Sequence, residues 1–153
     1  MEANATANAT VEAILNTKGR TVWSVSPETT VFEAIRQMAE RNVGALLVME
    51  GDRLLGIVSE RDYTRKVALQ GKNSRTTAVR EICTPALHTV TPRTTIGECM
   101  ALMTDKRIRH LPVIEGERVV GVISIGDVVN WIIHAQAAAI DQLQAYITGG
   151  YPG

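Results

Sequence analysis

The chain has 153 residues, and its 16 lysines and arginines are balanced by 16 aspartates and glutamates. This length suits one domain or two small ones, and the charge balance excludes an extended basic surface for nucleic acid or anionic membranes. No apolar run approaches the roughly 20 residues of a membrane helix, and the start MEANATANAT lacks the basic and apolar parts of a signal peptide. We therefore expect a cytoplasmic protein in which any anion site is local.

A flexible polar tail is expected over residues 1–10, followed by a short helix. Val11, Ile14 and Leu15 have the spacing of one apolar helix face, so this helix should pack against another surface.

Two stretches of the chain repeat each other at an offset of about 65 residues, which indicates a duplicated structural unit. The first reads VSPETTVFEAIRQMAERNVGALLVMEGDRLLGIVSERD, and it aligns without gaps with VTPRTTIGECMALMTDKRIRHLPVIEGERVVGVISIGD. We expect one repeat with its leading helix over residues 11–70, a linker over 71–85 and the second repeat over 86–134. A C-terminal amphipathic helix and tail would occupy residues 135–153.

Each repeat begins with a short extended segment that ends at a proline and leads into a helix. Thr30 with Glu33, and Thr95 with Glu98, have the spacing of a capping box at the helix start. One apolar face is predicted in each helix, formed by Val31, Ile35 and Met38 in the first repeat and by Ile96, Met100 and Met103 in the second.

A hairpin and a second helix complete each repeat. The strands ALLVM and LLGIVS, or HLPVI and VVGVIS, flank turns that contain Gly51 or Gly116. The SxxD sequences that end at Asp62 and Asp127 are placed to cap the second helix. One repeat has fewer than about 50 residues, too few to bury its own sheet, so the two are expected to pack as a pseudo-twofold pair with a cleft between them.

These motifs resemble those of CBS domains, named after cystathionine β-synthase, and the pair resembles a Bateman module. The markers are VSP and VTP before the first helix, RHLPV on the strand, and the endings GIVSERD and GVISIGD. The runs NVGALLV, SERDYTRKV and LQAYITGGY further resemble a subgroup of stand-alone CBS-pair proteins from bacteria and plant organelles. The resemblance implies an α+β fold of two pseudo-symmetric β-α-β-β-α repeats with flanking helices, and a regulatory protein that senses adenine nucleotides.

The second repeat carries side chains suited to a nucleotide. Helix N-termini and cations attract phosphate, whereas a carboxylate can accept both hydroxyls of a ribose. Arg109 and His110 are predicted to neutralise the phosphate. Ser124 and the amide near Gly126 would bind the phosphate or the ribose, and Asp127 would hold the ribose diol. The adenine is expected between apolar backbone of two strands, so the predicted set is Thr89, Val90, Arg107, Arg109, His110, Leu111, Pro112, Ser124, Gly126 and Asp127.

The first repeat differs in its chemistry, because Gly44 and Ala45 occupy the places of the strand cations and Arg61 replaces the helix glycine. Similar proteins bring a basic residue to the phosphates at the position of Lys18, and Trp23 either covers a base or fills the core. The predicted first-repeat set is Lys18, Trp23, Ser24, Val25, Gly44, Ala45, Ser59, Arg61 and Asp62. Two unequal sites predict two ligands, AMP in the second and NAD(H) or ATP in the first.

Each of these residues also has a purely structural interpretation. An isolated SxxD is a helix cap, a lone histidine beside a strand is an ordinary packed residue, and Arg107, Arg109, Arg65 and Lys66 could simply face solvent. Their joint occurrence in one repeat is what favours a nucleotide site.

The sequence therefore predicts a non-catalytic regulatory protein that passes its ligand state to an unidentified downstream protein. The alternative is a constitutive interaction module, for example in thioredoxin regulation, with the nucleotide incidental. An enzyme is disfavoured because the sequence has no catalytic-triad order, no Walker loop and no metal-ligand spacing among His88, His110 and His134. Cys83 and Cys99 form no CxxC and are expected to be reduced thiols.

The last helix carries an apolar stripe in which Ile133, Ile140 and Ile147 share a seven-residue register, with Ala137 and Leu143 or Gln144 between them. Either the N-terminal helix covers this stripe or a second copy of the chain does. We expect the second arrangement, a homodimer.

Overall fold

The computed structural model describes residues 8–148, without the side chains of residues 139 and 146–148. The first part of the predicted N-terminal tail, the last five residues and the side chain of Ile147 therefore lie outside the described residues. In chain order the helices and strands are α1 (Val11–Lys18), β1 (Ser24–Val25), α2 (Val31–Arg41), β2 (Ala45–Glu50), β3 (Arg53–Ser59), α3 (Glu60–Tyr63), a π-helical turn (Thr64–Ala68), a 3-10 turn (Val79–Glu81), β4 (Thr84–Pro85), α4 (Ile96–Lys106), β5 (His110–Glu115), β6 (Arg118–Ser124) and α5 (Ile125–Thr148).

The first repeat forms a four-stranded sheet in the order β1-β2-β3-β4. β1 runs parallel to β2, whereas β2 and β3 form an antiparallel hairpin and β4 adds to the free edge of β3. Gly51 lies in the hairpin turn, as predicted, and has the left-handed φ of 61° that glycine adopts readily. α2 packs its predicted face on this sheet, with Val31 and Met38 buried and Ile35 packed against the same core.

The second repeat follows the same order with a shorter sheet. β5 and β6 form a two-stranded sheet whose turn contains Gly116 at φ 64°, and Val90 makes a parallel bridge to Val113 where the first repeat has β1. Ile96 and Met103 of α4 are buried. The predicted β-α-β-β-α order is thus confirmed in both copies.

The two predicted capping boxes differ. Thr95 and Glu98 bond reciprocally, with the Glu98 N–H donating to Thr95 Oγ1 at 3.1 Å and the Thr95 N–H donating to Glu98 Oε1 at 3.3 Å. Thr30 accepts only the Glu33 N–H, at 3.2 Å. The Glu33 carboxylate is held instead by the Arg36 guanidinium one turn further along α2, so this box is half formed and the prediction of a complete box was wrong.

The helix α1 packs against segments of the second repeat. The Val11 N–H donates to Thr94 O at 2.8 Å and the Glu12 N–H to Pro92 O at 3.0 Å. Leu15 lies against Gly121, where an added Cβ would stand 2.7 Å from Leu15 Cδ2. Of the described residues, one compact unit accordingly combines 8–20, 90–113 and 121–148.

The second compact unit contains residues 21–89 and 114–120 and repeats this arrangement. The Val79 N–H donates to Thr29 O at 2.8 Å and the Arg80 N–H to Pro27 O at 3.0 Å, and the backbone at Thr84 lies against Gly56. The segments TVEAIL (residues 10–15) and AVREIC (residues 78–83) are therefore structural equivalents. TVEAIL packs beside the second repeat, which contains Gly121, and AVREIC packs beside the first repeat, which contains Gly56.

Candidate functional site

Asp127 lies in the first turn of α5 and makes the reciprocal cap that its spacing predicts. Its Oδ2 accepts the Ser124 N–H at 2.8 Å, and its own N–H donates to Ser124 Oγ at 3.1 Å. The side chain keeps 22% of its surface exposed, and within residues 8–148 no group donates to Oδ1. The structural role of the cap therefore leaves one carboxylate oxygen open to a ligand.

Lys18 ends α1 and reaches this carboxylate. Its Nζ donates to Asp127 Oδ2 at 2.7 Å and to Val122 O at 2.9 Å. The sequence prediction grouped Lys18 with the first-repeat residues, whereas the structure brings it to the second-repeat set. The reason is that α1 packs on the second repeat, which no local pattern in the sequence indicates.

Arg109 directly precedes β5 and His110 begins it. Both lie beside the start of α5, because the Ile125 N–H donates to Arg109 O at 2.8 Å. Arg109 is exposed, and its guanidinium has no ion pair or hydrogen bond within the described chain. Burial lowers the pKa of His110 below its ordinary value, and the nearby cations Lys18 and Arg109 add to this effect against the opposing pull of Asp127. The imidazole is therefore neutral near pH 7, so it can offer a hydrogen bond but not the charge that the sequence analysis assigned to it.

The remaining second-repeat residues lie on the segment before α4, on β5, at the end of α4 and at the start of α5. The Val90 N–H donates to Pro112 O at 3.0 Å, so Val90 lies beside β5, the strand that contains Leu111 and Pro112. Thr89, the residue before it, is exposed. Arg107 is exposed in the left-handed conformation at the end of α4. Gly126 is exposed, and its N–H meets no acceptor among residues 8–148, which leaves a free donor at the positive end of α5.

The first repeat holds its carboxylate differently. Asp62 Oδ2 accepts the Ser59 N–H at 3.0 Å and the Ser59 hydroxyl at 3.1 Å. Oδ1 pairs with Lys66 Nζ at 3.1 Å and accepts the Thr84 hydroxyl at 3.4 Å. Lys66 also donates to Ile82 O at 2.9 Å. Both oxygens of Asp62 are thus occupied, and only 12% of the side-chain surface is exposed.

Sequence reasoning missed Thr84 entirely and treated Lys66 as a surface residue. The spacing of Asp62 and Lys66, four residues apart on one helix, was a signal for that ion pair. Nothing local indicates Thr84, because it reaches Asp62 only through the pairing of β4 with β3.

The other first-repeat residues are split between backbone and surface roles. Gly44 O accepts the Glu60 N–H at 3.1 Å, and Ala45 pairs with Ser59 across the hairpin. Arg61 is exposed with no ion pair in the described chain.

Trp23 neither fills the core nor stands free. It is 38% exposed, and the Arg41 guanidinium lies 3.6 Å from its ring centroid, a cation-π arrangement. Ser24 and Val25 follow it as β1, paired with Leu47 and Val48.

Two matches to one family model account for most of the chain. The model, described as CBS domain, matches residues 8–69 and 79–134. This chain belongs to the CBS-domain family. The tandem CBS pair and its α+β fold, predicted from the repeat, are therefore confirmed.

Relatives of this CBS pair come from bacteria and plants. CBS domain-containing protein CBSX3, mitochondrial, from Arabidopsis thaliana is 41% identical over 161 residues, covering 99% of this chain and 78% of the relative. A structure from Burkholderia ambifaria MC40-6, described as a signal-transduction protein with CBS domains, is 50% identical with a TM-score of 0.81 and covers 84% of this chain and 96% of its own. A hexameric CBS-CP12 protein from bloom-forming cyanobacteria is 26% identical with a TM-score of 0.71, covering 94% and 86%.

Among residues 8–148 the CBS pair has neither a metal-binding cluster nor a membrane-spanning helix, and its two cysteines are free thiols. No group of three or more His, Cys, Asp or Glu there is arranged to hold a metal ion, and no helix between residues 8 and 148 has the length and apolarity to cross a bilayer. Cys83 and Cys99 are both free. Burial raises the pKa of both thiols, and it raises that of Cys99 to about 11.

Proposed function

We propose that this CBS pair is a non-catalytic regulatory module that binds an adenine nucleotide at the second-repeat residues and passes its state to a partner protein. The observation that carries the proposal is a partly exposed carboxylate, Asp127, at a helix start, with Lys18, Arg109 and His110 around it. Membership of the CBS-domain family, whose members are commonly nucleotide-sensing regulatory modules, supports it.

The arrangement suits the two polar ends of a nucleoside monophosphate. Asp127 has an open oxygen for the ribose hydroxyls, the contact that acidic residues make in dinucleotide sites. Arg109 and the free Gly126 N–H supply donors for a phosphate at the positive end of α5. Neutral His110 adds a hydrogen bond to the same group.

AMP is the ligand we propose for the second-repeat residues, because one phosphate matches the local charge. The first-repeat carboxylate is already saturated by Ser59, Lys66 and Thr84. We therefore propose that the first-repeat site is the weaker one, with NAD(H) or ATP as its ligand, as the unequal sets of side chains suggest.

Isothermal titration with AMP tests the ribose contact. Asp127→Ala should weaken binding by roughly 1 to 3 kcal/mol, because the ribose loses its charged acceptor. The D127N variant keeps an acceptor oxygen for the cap and should still bind AMP, but more weakly than the wild type. Asp141→Ala, on the exposed side of α5, is the matched control. Unchanged AMP affinity in D127A would remove the carboxylate from the site.

A regulatory role, rather than an enzymatic one, is part of the proposal. The relative from Burkholderia is described as a signal-transduction protein, and a Bateman module acts by biasing a partner. Prolonged incubation with ATP, AMP or NADH should leave each nucleotide intact by chromatography. Hydrolysis of many nucleotide molecules per protein molecule, lost in D127A, would show a nucleotide hydrolase instead.

A homodimer is the proposed assembly, and α5 is its contact surface. Ile133, Ile140 and Leu143 are 55%, 54% and 58% exposed on this helix, and the related CBS-CP12 protein is itself described as hexameric. A symmetric pair would let the ligand state of each subunit change the contact between copies.

The second candidate is a constitutive interaction module. The same exposed apolar residues on α5 favour it, since they could bind another protein whether or not a nucleotide is present. Pulldown of the partner with and without AMP separates the two, because only the sensing module should gain or lose its partner with the nucleotide. A cytoplasmic location remains a prediction from the sequence.

A further inference from the structure

The large apolar side chains that α5 leaves exposed follow a heptad spacing, with one polar residue among them. Steps of four, three, four and three residues separate these exposed positions, which are Val129, Ile133, Gln136, Ile140 and Leu143. Alternating steps of three and four residues are typical of the contact seam between two helices of a coiled coil. These five residues form the α5 seam.

Gln136 is the one polar residue of the α5 seam. It is exposed, and its amide makes no hydrogen bond within residues 8–148. Contact with an apolar residue would bury the amide with its donor and acceptor unpaired, which is unfavourable. A second amide can pair with it, because each amide group both donates and accepts hydrogen bonds. The partner surface should therefore present an amide opposite Gln136.

A second copy of α5 meets this requirement. The sequence has no charged residue at the positions that flank the α5 seam, so an identical helix would bring no like charges together. These flanking positions are Asn130, Ile132, Ala137, Ala139, Gln144 and Tyr146. The sequence of residues 1–7 and 149–153 contains no Ile, Leu, Val or Phe, so neither segment offers an apolar face for the seam.

The position of Gln136 distinguishes the two ways in which identical helices can pair. In a parallel pair every seam residue meets its own counterpart, so Gln136 meets Gln136 of the partner subunit. In an antiparallel pair with aligned seams, Ile133 meets Leu143 of the partner subunit, and Gln136 meets Ile140 of the partner subunit. The antiparallel pair therefore buries two amides against isoleucine, whereas the parallel pair joins them.

We infer that two copies of the chain pair through the α5 seam as a parallel two-stranded coiled coil and that Gln136 selects this orientation, an inference that rests on the proposed homodimer. A polar residue in an apolar seam lowers stability but disfavours other alignments. Asp127 lies in the first turn of α5. Parallel pairing places both Asp127 carboxylates at the same end of the coiled coil, so nucleotides in the two subunits would act on the same end of the contact.

Cysteine cross-linking of the full-length chain tests the orientation. Ile133→Cys and Leu143→Cys are oxidised separately and as a mixture, in which an affinity tag on one variant makes mixed dimers differ in size. In the parallel pair each variant should form a disulfide-linked dimer by itself, because identical positions face each other. In the antiparallel pair identical positions would lie about 15 Å apart along the helix axis, beyond the roughly 7 Å between Cα atoms that a disulfide spans. Only mixed dimers would then form.

The controls address position, native thiols and weakened association. Gln142→Cys, at an exposed position of α5 outside the seam, is the matched control and should not form a linked dimer. The wild-type chain gives the background from Cys83 and Cys99. Ultracentrifugation of each reduced variant gives its dimer Kd, and oxidation is carried out above that concentration.

Gln136→Leu tests the role of the amide. It should lower the dimer Kd about tenfold, because leucine adds apolar area to the contact. It should also let Ile133→Cys and Leu143→Cys form mixed dimers in addition to self-linked ones, because both orientations become acceptable. If self-linked dimers alone persist in the Q136L background, Gln136 does not select the orientation.

The remaining outcomes separate this inference from the proposed function. Mixed dimers alone, with Gln136 in place, would establish the antiparallel pair and overturn the inference while the homodimer stands. A dimer in ultracentrifugation with no cross-link in any sample would place the contact outside the α5 seam and would also overturn it. A monomeric wild-type chain would refute the homodimer and the inference together, whereas AMP binding is decided separately by calorimetry.

Discussion

At the scale of single residues, burial decides which groups near Asp127 carry charge. Arg109 and His110 are neighbours in sequence, yet Arg109 is exposed and charged, whereas burial holds the pKa of His110 below its ordinary value. The structure therefore divides between these two residues a role that the sequence analysis gave to both. Arg109 can neutralise a phosphate, and neutral His110 can only donate a hydrogen bond to it.

The depressed pKa of His110 predicts a specific acid dependence of stability. The unfolded chain binds a proton on this histidine below about pH 6.5, where the folded protein does not. The free energy of unfolding should be greatest above that pH and should fall as the pH decreases through the folded pKa. Urea unfolding at several pH values without nucleotide measures this.

The variant His110→Gln should flatten that acid dependence, because glutamine does not titrate. His134→Gln, which removes an exposed histidine on α5, should keep the wild-type profile. If H110Q loses stability at low pH as steeply as the wild type, groups other than His110 cause that loss.

At the scale of elements, one glycine in each repeat allows a neighbouring segment to pack closely on the second strand of the hairpin. These glycines are Gly56 on β3 and Gly121 on β6. A Cβ on Gly56 would lie 2.5 Å from the backbone oxygen of Thr84, whereas a Cβ on Gly121 would lie 2.7 Å from the flexible end of Leu15. A leucine methyl group can move aside, but the backbone of β4 is held by its pairing with β3. The two equivalent positions therefore differ in tolerance.

Gly56→Ala should consequently destabilise the protein more than Gly121→Ala. We expect a loss of about 2 to 3 kcal/mol for G56A and about 1 kcal/mol for G121A, in the range of overpacking. Chemical unfolding of both variants gives the comparison. Equal losses, or a larger loss for G121A, would contradict the argument from backbone rigidity.

At the scale of the whole molecule, the last helix is the surface on which the proposed homodimer depends. α5 has 24 residues. Cover by α1, the alternative to a homodimer, does not extend to Ile133 and Ile140, which remain exposed although α1 is itself buried at Val11, Ile14 and Leu15. An exposed apolar stripe on a helix is typical of an interaction surface.

Analytical ultracentrifugation should find the full-length chain as a dimer at micromolar concentration. Truncation after Ala135 should give a monomer or an aggregate, because most of the stripe is removed. The full-length variant Ile140→Glu should weaken the dimer, while Gln142→Glu, at a neighbouring exposed position of α5, should not. A monomer with and without AMP would refute the assembly that we propose.

Local signals in the sequence determined the elements of this protein. The turn glycines Gly51 and Gly116, the SxxD caps and the spacing of apolar residues act over a few residues, so they predicted the helices, the hairpins and their duplication. The half-formed cap at Thr30 shows the limit even here, because Arg36 competes for Glu33 from one turn away.

Only the tertiary structure decided which groups meet Asp127. Lys18 is 109 residues away along the chain, and its arrival depends on α1 packing beside the second repeat through backbone hydrogen bonds that every residue type can make. The lowered pKa of His110 likewise depends on how deeply the surrounding segments bury its imidazole. Spacing cannot encode either result, since both arise from long-range packing, which brings distant side chains together and removes water from them.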